Sequence, residues 1–123
     1  MSRDNAYLED ILHAAESIQR FIANVSFEQF RTNEEKYEAV NRKFQIIGEA
    51  ARRLSPEARD AFPEIPWKLI TAMRNIIVHD YDEVDLDVVW DTARNDLPPL
   101  IKKLDAYLAA HPPPEPDNPQ SNV

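Results

Sequence analysis

The chain has 123 residues and a formal net charge of −8, with one glycine and no cysteine. This length is sufficient for one domain with a single hydrophobic core. The lack of cysteine excludes disulfides and thiolate metal sites, and one glycine cannot supply the phosphate loops of Rossmann or P-loop proteins. No apolar run approaches the roughly 20 residues of a membrane span, and the first residues lack the apolar core of a signal peptide. We therefore expect a cytoplasmic helical domain without membrane contact.

The charged residues are unevenly distributed along the chain. Acidic residues concentrate at 34–38, at 80–87 and in the C-terminal tail. The net negative charge argues against non-specific nucleic-acid binding, which requires cations to neutralise phosphates. A local basic groove and an acidic flank for a basic protein partner both remain open. The basic residues of the middle of the chain are Arg42, Lys43, Arg52, Arg53, Lys68 and Arg74.

Apolar residues at three- and four-residue steps predict two long helices in the first half of the chain, over 4–23 and 33–54. Ser26 with Gln29 and Thr32 with Glu35 both resemble capping boxes, so a short helical turn over 27–31 should precede the second helix. The apolar positions are Leu8, Ile11, Leu12, Ala15, Ile18 and Ile22 in the first helix, and Tyr37, Val40, Phe44, Ile47, Ala51 and Leu54 in the second.

The connection that follows is marked by prolines and aromatic residues. Ser55 and Pro56 suit the N-cap and first position of another short helix. Phe62, Ile65 and Trp67 should form the apolar part of the connection. A third long helix is then expected over about 67–79.

Asp85 can cap a fourth helix that starts at Leu86, and Pro98–Pro99 should kink or break it. Its apolar face comprises Val89, Trp90, Ala93, Leu97, Leu100, Ile101, Leu104 and Leu108. The prediction is an all-α, four- to five-helix up-and-down bundle over 1–110. The proline-rich residues 111–123 should form a flexible tail.

The third helix carries the residues that point to chemistry. A helical wheel places Leu69, Ile70, Met73, Ile76 and Ile77 on the buried side. Arg74, Asn75 and His79 lie on the polar side, and a permanent cation beside a group that titrates near neutral pH suits phosphate-ester chemistry. Because Arg74 and His79 are about 140° apart on an ideal helix, a two-fold dimer could bring Arg74 of one chain opposite His79 of the other.

Structural interpretations of these residues compete with the chemical one. An Arg-Asn pair on a helix is often solvated, and a histidine near a helix C-terminus often complements the helix dipole. The other histidines, His13 and His111, add no metal-ligand spacing. The acids of 80–87 lack the pattern of a calcium loop, which leaves caps, solvated charge or partner contacts. For Glu49 we expect an arginine partner.

Arg74-Asn75-Ile76-Ile77-Val78-His79-Asp80-Tyr81 fits the Arg-x4-His-x-Tyr signature of the HEPN superfamily, and the chain resembles its HepT branch, the toxins partnered with minimal nucleotidyltransferase antitoxins. The resemblance covers roughly residues 5–108. Three further blocks in matching order support it: Phe44-Gln45-Ile46-Ile47-Gly48-Glu49-Ala50, Pro63-Glu64-Ile65-Pro66-Trp67, and Val88-Val89-Trp90 followed by Asp96-Leu97-Pro98.

This resemblance implies a homodimeric endoribonuclease that needs neither metal nor cofactor. Arg74 would stabilise the scissile phosphate, Asn75 would orient the phosphate or the arginine, and His79 would act as general acid/base. RNA supplies its own nucleophile, so proton transfer and charge stabilisation are sufficient. The expected product is a 2′,3′-cyclic phosphate.

The resemblance also implies a toxin–antitoxin pair of a type II/VII-like kind. A cognate nucleotidyltransferase antitoxin would transfer AMP to Tyr81, and the added bulk and negative charge would repel RNA; otherwise Tyr81 packs its ring and exposes its hydroxyl. The alternative function is a non-catalytic nucleotide-binding module or partner subunit of a nucleotidyltransferase. A third is a structural dimerisation bundle, which would not require Arg74 and His79 on the polar face.

Overall fold

The computed structural model describes residues 3–68, 70–71 and 85–112, and every regular element among them is helical. This confirms the predicted all-α class. Within these residues, no helix is both long and apolar enough to cross a bilayer. The elements are α1 Asp4–Ile22, α2 Phe27–Thr32, α3 Glu34–Arg53, α4 Pro56–Asp60, α5 Leu86–Asp91, a π-helical segment Thr92–Asp96 and α6 Leu97–Ala110.

Helix α1 packs antiparallel to α3, and hydrogen bonds tie the pair at both ends. At one end the Lys36 ammonium donates to the Phe21 carbonyl at 2.8 Å. At the other end the Asp4 carboxylate accepts from the Ser55 backbone amide at 2.9 Å and from the Ser55 hydroxyl at 2.6 Å. The start of α1 therefore lies beside the end of α3, as an up-and-down bundle requires.

Helix α1 also runs antiparallel to the helical stretch 86–110. The Asn5 side-chain amide donates to the His111 carbonyl at 3.0 Å, and the Gln19 side-chain amide donates to the Ala93 carbonyl at 2.8 Å. The predicted apolar faces of these helices form the core. The largest fully buried side chains are Phe30, Phe44, Leu8, Ile11, Ile18, Ile47, Ile70, Leu97, Leu100 and Leu104.

An aromatic cluster fixes the short helix α2 against α3 and α5. The buried Phe30 ring lies 5.2 Å from the Trp90 ring and 6.5 Å from the Tyr37 ring, between centroids. Phe27 adds a second contact with Trp90 at 5.9 Å, and the Arg94 guanidinium lies 5.5 Å from the centre of the Trp90 ring. Such contacts add to the apolar area that these side chains bury.

Three predicted N-caps are confirmed. Ser26 and Gln29 form both hydrogen bonds of a capping box at α2. The Ser55 hydroxyl accepts from the Ala58 amide at the start of α4. The Asp85 carboxylate accepts from the amides at the start of α5. Each cap satisfies amides that a first helical turn leaves without an internal partner.

The predicted capping box of Thr32 and Glu35 is wrong. Asn33 caps α3, and its side-chain oxygen accepts from the Lys36 amide at 3.1 Å. Thr32 is still the last residue of α2, and its hydroxyl donates back to the Glu28 carbonyl at 2.8 Å. Asn is a strong N-cap residue, so the single residue between the two helices takes the role.

The interruption predicted at Pro98–Pro99 takes the form of the π-helical segment just before them. The Leu97 amide donates to the Thr92 carbonyl, which lies five residues back. Pro98 has no amide hydrogen to donate to the next carbonyl, that of Ala93. The Gln19 side chain from α1 supplies the donor for this carbonyl. The helix therefore continues through the prolines because a neighbouring helix satisfies its backbone.

This arrangement predicts that Gln19→Ala lowers the free energy of unfolding by about 1–2 kcal/mol, because the Ala93 carbonyl loses its donor. Gln45→Ala is the matched control, because the Gln45 side chain accepts a hydrogen bond from the exposed Arg42. This substitution should lower the free energy of unfolding by less than about 0.5 kcal/mol. The measurement is urea unfolding of both variants.

A double-mutant cycle with Pro98→Ala sharpens the test. The alanine restores an amide hydrogen at position 98, so Gln19→Ala should cost less in that background than in the parent. An equal cost in both backgrounds would contradict the assigned role of Gln19.

Candidate functional site

The chain enters the segment that contains the motif through a well-defined turn. The Trp67 amide donates to the Ile65 carbonyl at 2.8 Å, and the Ile70 amide donates to the Pro66 carbonyl at 3.0 Å. Ile70 is buried, whereas Lys68 is exposed. These two residues follow the helical wheel that assigned a buried side and a polar side to this helix.

The Trp67 side chain fixes this first turn to the preceding helix. Its indole N–H is shared between the Phe62 carbonyl at 3.0 Å and the Arg59 carbonyl at 3.2 Å. The Phe62 ring is itself buried and meets the Tyr107 ring edge-on at 5.1 Å. Trp67 therefore connects this first turn to α4 and, through Phe62, to α6.

Arg59 closes the same junction, and its role was not predicted. Its guanidinium donates to the Arg52 carbonyl at 3.1 Å and to the Leu54 carbonyl at 3.4 Å. These carbonyls lie at the end of α3, where helical partners are lacking. Arg59 thus joins the end of α3 to α4, while its own carbonyl receives the Trp67 indole.

An ion pair ties the same loop to α6. The Lys103 ammonium contacts the Glu64 carboxylate. The hydrogen bond from Lys103, followed by one from the Glu64 backbone, lowers the pKa of the Glu64 carboxyl. Near neutral pH the Glu64 carboxyl is therefore ionised. Because both side chains are exposed to solvent, the pair connects the loop to α6 but contributes little to the stability of the fold.

On the far side of the motif, the chain is fixed again at Asp85. The Asp85 carboxylate accepts from the Asp87 amide at 3.0 Å and the Val88 amide at 3.4 Å. Helix α5 then packs Val89 into the core. The two flanks of the motif segment are thus held by Trp67 and by the Asp85 cap.

The residues predicted to act on substrate lie between these flanks, outside the described residues. They are Arg74, Asn75 and His79. The predicted AMP acceptor Tyr81 and the predicted core positions Leu69, Met73, Ile76 and Ile77 also lie outside. The acids at 80 and 82–83 also lie outside. The roles of all these residues stay predictions.

The remaining candidates form no metal site within the described residues. His13 is exposed on α1, and the His111 ring stacks on Tyr107 at 4.2 Å, with Nδ1 3.0 Å from the Tyr107 carbonyl. The Glu49 carboxylate lies 4.0 Å from the guanidinium of Arg52, one turn along α3. Across ranges 3–68, 70–71 and 85–112, no three His, Cys, Asp or Glu residues are placed to hold a metal ion.

Comparison with known proteins places these features in a family. The model of the family described as "Ribonuclease HepT-like" matches residues 11–107. The "Probable ribonuclease HepT" of Thermococcus cleftensis is 38% identical over 99 residues, which cover 80% of this chain and 90% of that protein. The "Putative RNase MJ1380" of Methanocaldococcus jannaschii is 34% identical over 100 residues, covering 81% of this chain and 92% of that protein. No solved structure matches the chain.

Proposed function

Because the chain belongs to the HepT-like ribonuclease family, we propose that it is a metal-independent endoribonuclease that acts as a homodimer. The observation that carries the proposal is the match over 11–107, since this range contains the complete Arg74-x4-His79-x-Tyr81 pattern. Relatives that are named as ribonucleases align over at least 80% of the chain. RNA is therefore the proposed substrate class.

In the proposed reaction, the ribose 2′-oxygen attacks the adjacent phosphorus. The new bond joins the 2′-oxygen to phosphorus, and the bond from phosphorus to the 5′-oxygen breaks. His79 takes the 2′-hydroxyl proton or returns a proton to the leaving 5′-oxygen. Arg74 neutralises the charge that grows on the phosphoryl oxygens, and Asn75 orients the phosphate or Arg74. The product is a 2′,3′-cyclic phosphate.

A homodimer is proposed because an ideal helix would turn Arg74 and His79 in different directions. Their separation of five residues corresponds to about 140° around the axis. Two-fold symmetry would place Arg74 of one chain opposite His79 of the other, so each dimer would have two equivalent sites. The anchors at Trp67 and Asp85 support this proposal, because a segment held at both flanks can present its polar side in a defined direction.

Regulation is proposed to act through Tyr81. A cognate nucleotidyltransferase antitoxin would catalyse attack of the tyrosine oxygen on the α-phosphorus of ATP. An oxygen–phosphorus bond forms, pyrophosphate leaves, and the phenolic proton is released. The attached AMP brings bulk and negative charge beside the proposed site, where either would hinder RNA.

The net charge of −8 favours a second candidate function. A chain so acidic repels nucleic acid at long range. A non-catalytic nucleotide-binding module, or a partner subunit of a nucleotidyltransferase, would not need to attract RNA. The cleavage assay below separates the two functions.

We predict that purified protein cleaves RNA in EDTA and that His79→Ala reduces the rate by about 10²–10⁴-fold, because general acid/base catalysis is lost. His13→Ala is the matched control, since it removes an exposed histidine of α1, and should cleave like the parent. Both variants should keep the parent's circular dichroism and thermal midpoint.

Two results would count against this function. Cleavage by His79→Ala at the parent's rate would remove His79 from the mechanism. Failure of the parent to cleave RNA, with Tyr81 verified as unmodified by mass spectrometry, would favour the non-catalytic module.

Co-expression with a nucleotidyltransferase encoded beside this chain is predicted to add AMP to Tyr81. Intact-mass spectrometry should show increments of one AMP unit, and peptide mapping should place them on Tyr81, with Tyr7, Tyr37 and Tyr107 as internal controls. Tyr81→Phe should gain no mass. AMP on another tyrosine, or none on an intact Tyr81, would reject this mode of regulation.

A further inference from the structure

Helix α3 divides its charge into an acidic half and a basic half. Residues 34–41 carry three glutamates and one lysine, whereas residues 42–53 carry four cationic side chains and one carboxylate. The basic half therefore stands out in a chain with a net charge of −8. Its cations are Arg42, Lys43, Arg52 and Arg53.

The helix dipole explains only part of this pattern. Acids near the N-terminus and cations near the C-terminus of a helix are both favourable, but the effect fades within one turn of each end. Arg52 and Arg53 lie in the last turn of α3. Arg42 and Lys43 lie in mid-helix and need another explanation.

A groove between α1 and α3 collects part of this basic half. Its volume is about 350 Å³, and it opens to solvent. The α3 residues on its wall recur at steps of four, three and four, so they share one face of the helix. Its main lining residues are Tyr7 and Asp10 from α1, and Arg42, Ile46, Glu49 and Arg53 from α3.

The two arginines stand near opposite ends of this groove with their guanidinium groups exposed. They are eleven residues apart on α3, which is about 17 Å along the helix axis. The Arg42 guanidinium donates to Gln45 at 3.2 Å. Neither Arg42 nor Arg53 forms an ion pair with a carboxylate of the described residues. Each guanidinium can therefore donate two hydrogen bonds to the same anion.

We propose that this groove, which we name the α1–α3 groove, binds single-stranded RNA outside the Arg74–His79 motif. Arg42 and Arg53 bind backbone phosphates, and the half-buried Tyr7 ring on the α1 wall stacks on a base. Basic grooves with aromatic side chains are typical of single-strand binding. The inference rests on the proposed function for its choice of substrate.

The carboxylates in the groove favour RNA over an acidic peptide. Asp10 and Glu49 lie on the groove wall between or beside the arginines. A polyacidic peptide would meet these carboxylates with like charge. RNA alternates phosphates with bases, whose amino groups can donate to carboxylates. A strand with its bases turned into the groove would bring base amino groups, and not further negative charge, to the carboxylate wall.

The test measures binding of the parent to a fluorescent 2′-O-methyl RNA single strand, which lacks the nucleophile and cannot be cleaved. Arg42→Gln/Arg53→Gln is predicted to weaken binding at least about tenfold and to reduce the slope of log affinity against log salt by about 1.4, for two phosphate contacts. Tyr7→Leu should weaken binding about tenfold with little change in slope, because a stacked base is lost. The matched control is Arg20→Gln/Lys102→Gln, which removes two exposed cations elsewhere.

Each outcome decides the proposal. Equal affinity and slope for the arginine variant and the control would overturn the α1–α3 groove, as would a parent that does not bind the RNA. Tight binding of polyglutamate but not RNA would reassign the groove to acidic peptides. Cleavage of unmodified RNA by the parent is measured in parallel. Cleavage without a groove effect rejects the groove alone, and a groove effect without cleavage rejects the nuclease alone.

Discussion

Helix α1 organises the described structure because it packs against both other long helical stretches and is hydrogen-bonded to them at both ends. Asp4 and Asn5 at its start hold the end of α3 and the end of α6, respectively. Near its other end, Phe21 and Gln19 hold the start of α3 and the π-helical segment. Apolar side chains fill the space between these hydrogen bonds. The hydrogen bonds at both ends are directional, so they fix the position of α1 along its neighbours.

The bundle matters for the proposed function because it fixes the described residues on either side of the motif segment. The described part of the chain ends at Thr71 before the motif and resumes at Asp85 after it. Trp67 and Asp85 hold these two points with hydrogen bonds to backbone groups. Catalysis by positioned side chains requires a support that does not drift by an ångström. The bundle is such a support at both flanks.

The parts of the fold that could be predicted are those decided by neighbouring residues. The caps at Ser26, Ser55 and Asp85 and the apolar faces of the long helices depend on residues a few positions apart. The box at Thr32 failed for a local reason, because Asn33 competes for the same place.

Contacts between distant parts of the chain could not be predicted in the same way. Gln19 and Ala93 are 74 positions apart, and no local sequence pattern connects them. Pro98 indicates only that one helix carbonyl lacks its usual amide donor, and not which side chain replaces that donor. Tyr7 and Asp10 likewise join the basic face of α3 only after folding. The candidate catalytic residues were predicted from a motif and a resemblance, since residue types alone left the structural interpretations open.

The central claim is that Arg74 of one chain works with His79 of another on RNA. Complementation tests it most directly: Arg74→Ala and His79→Ala proteins, each inactive alone, are mixed and allowed to exchange subunits, with exchange verified by native mass spectrometry. A shared site predicts that the mixture recovers RNA cleavage, to roughly a quarter of the parent's activity, because half the dimers are mixed and each has one intact site. A verified mixed dimer as inactive as either variant would contradict the claim.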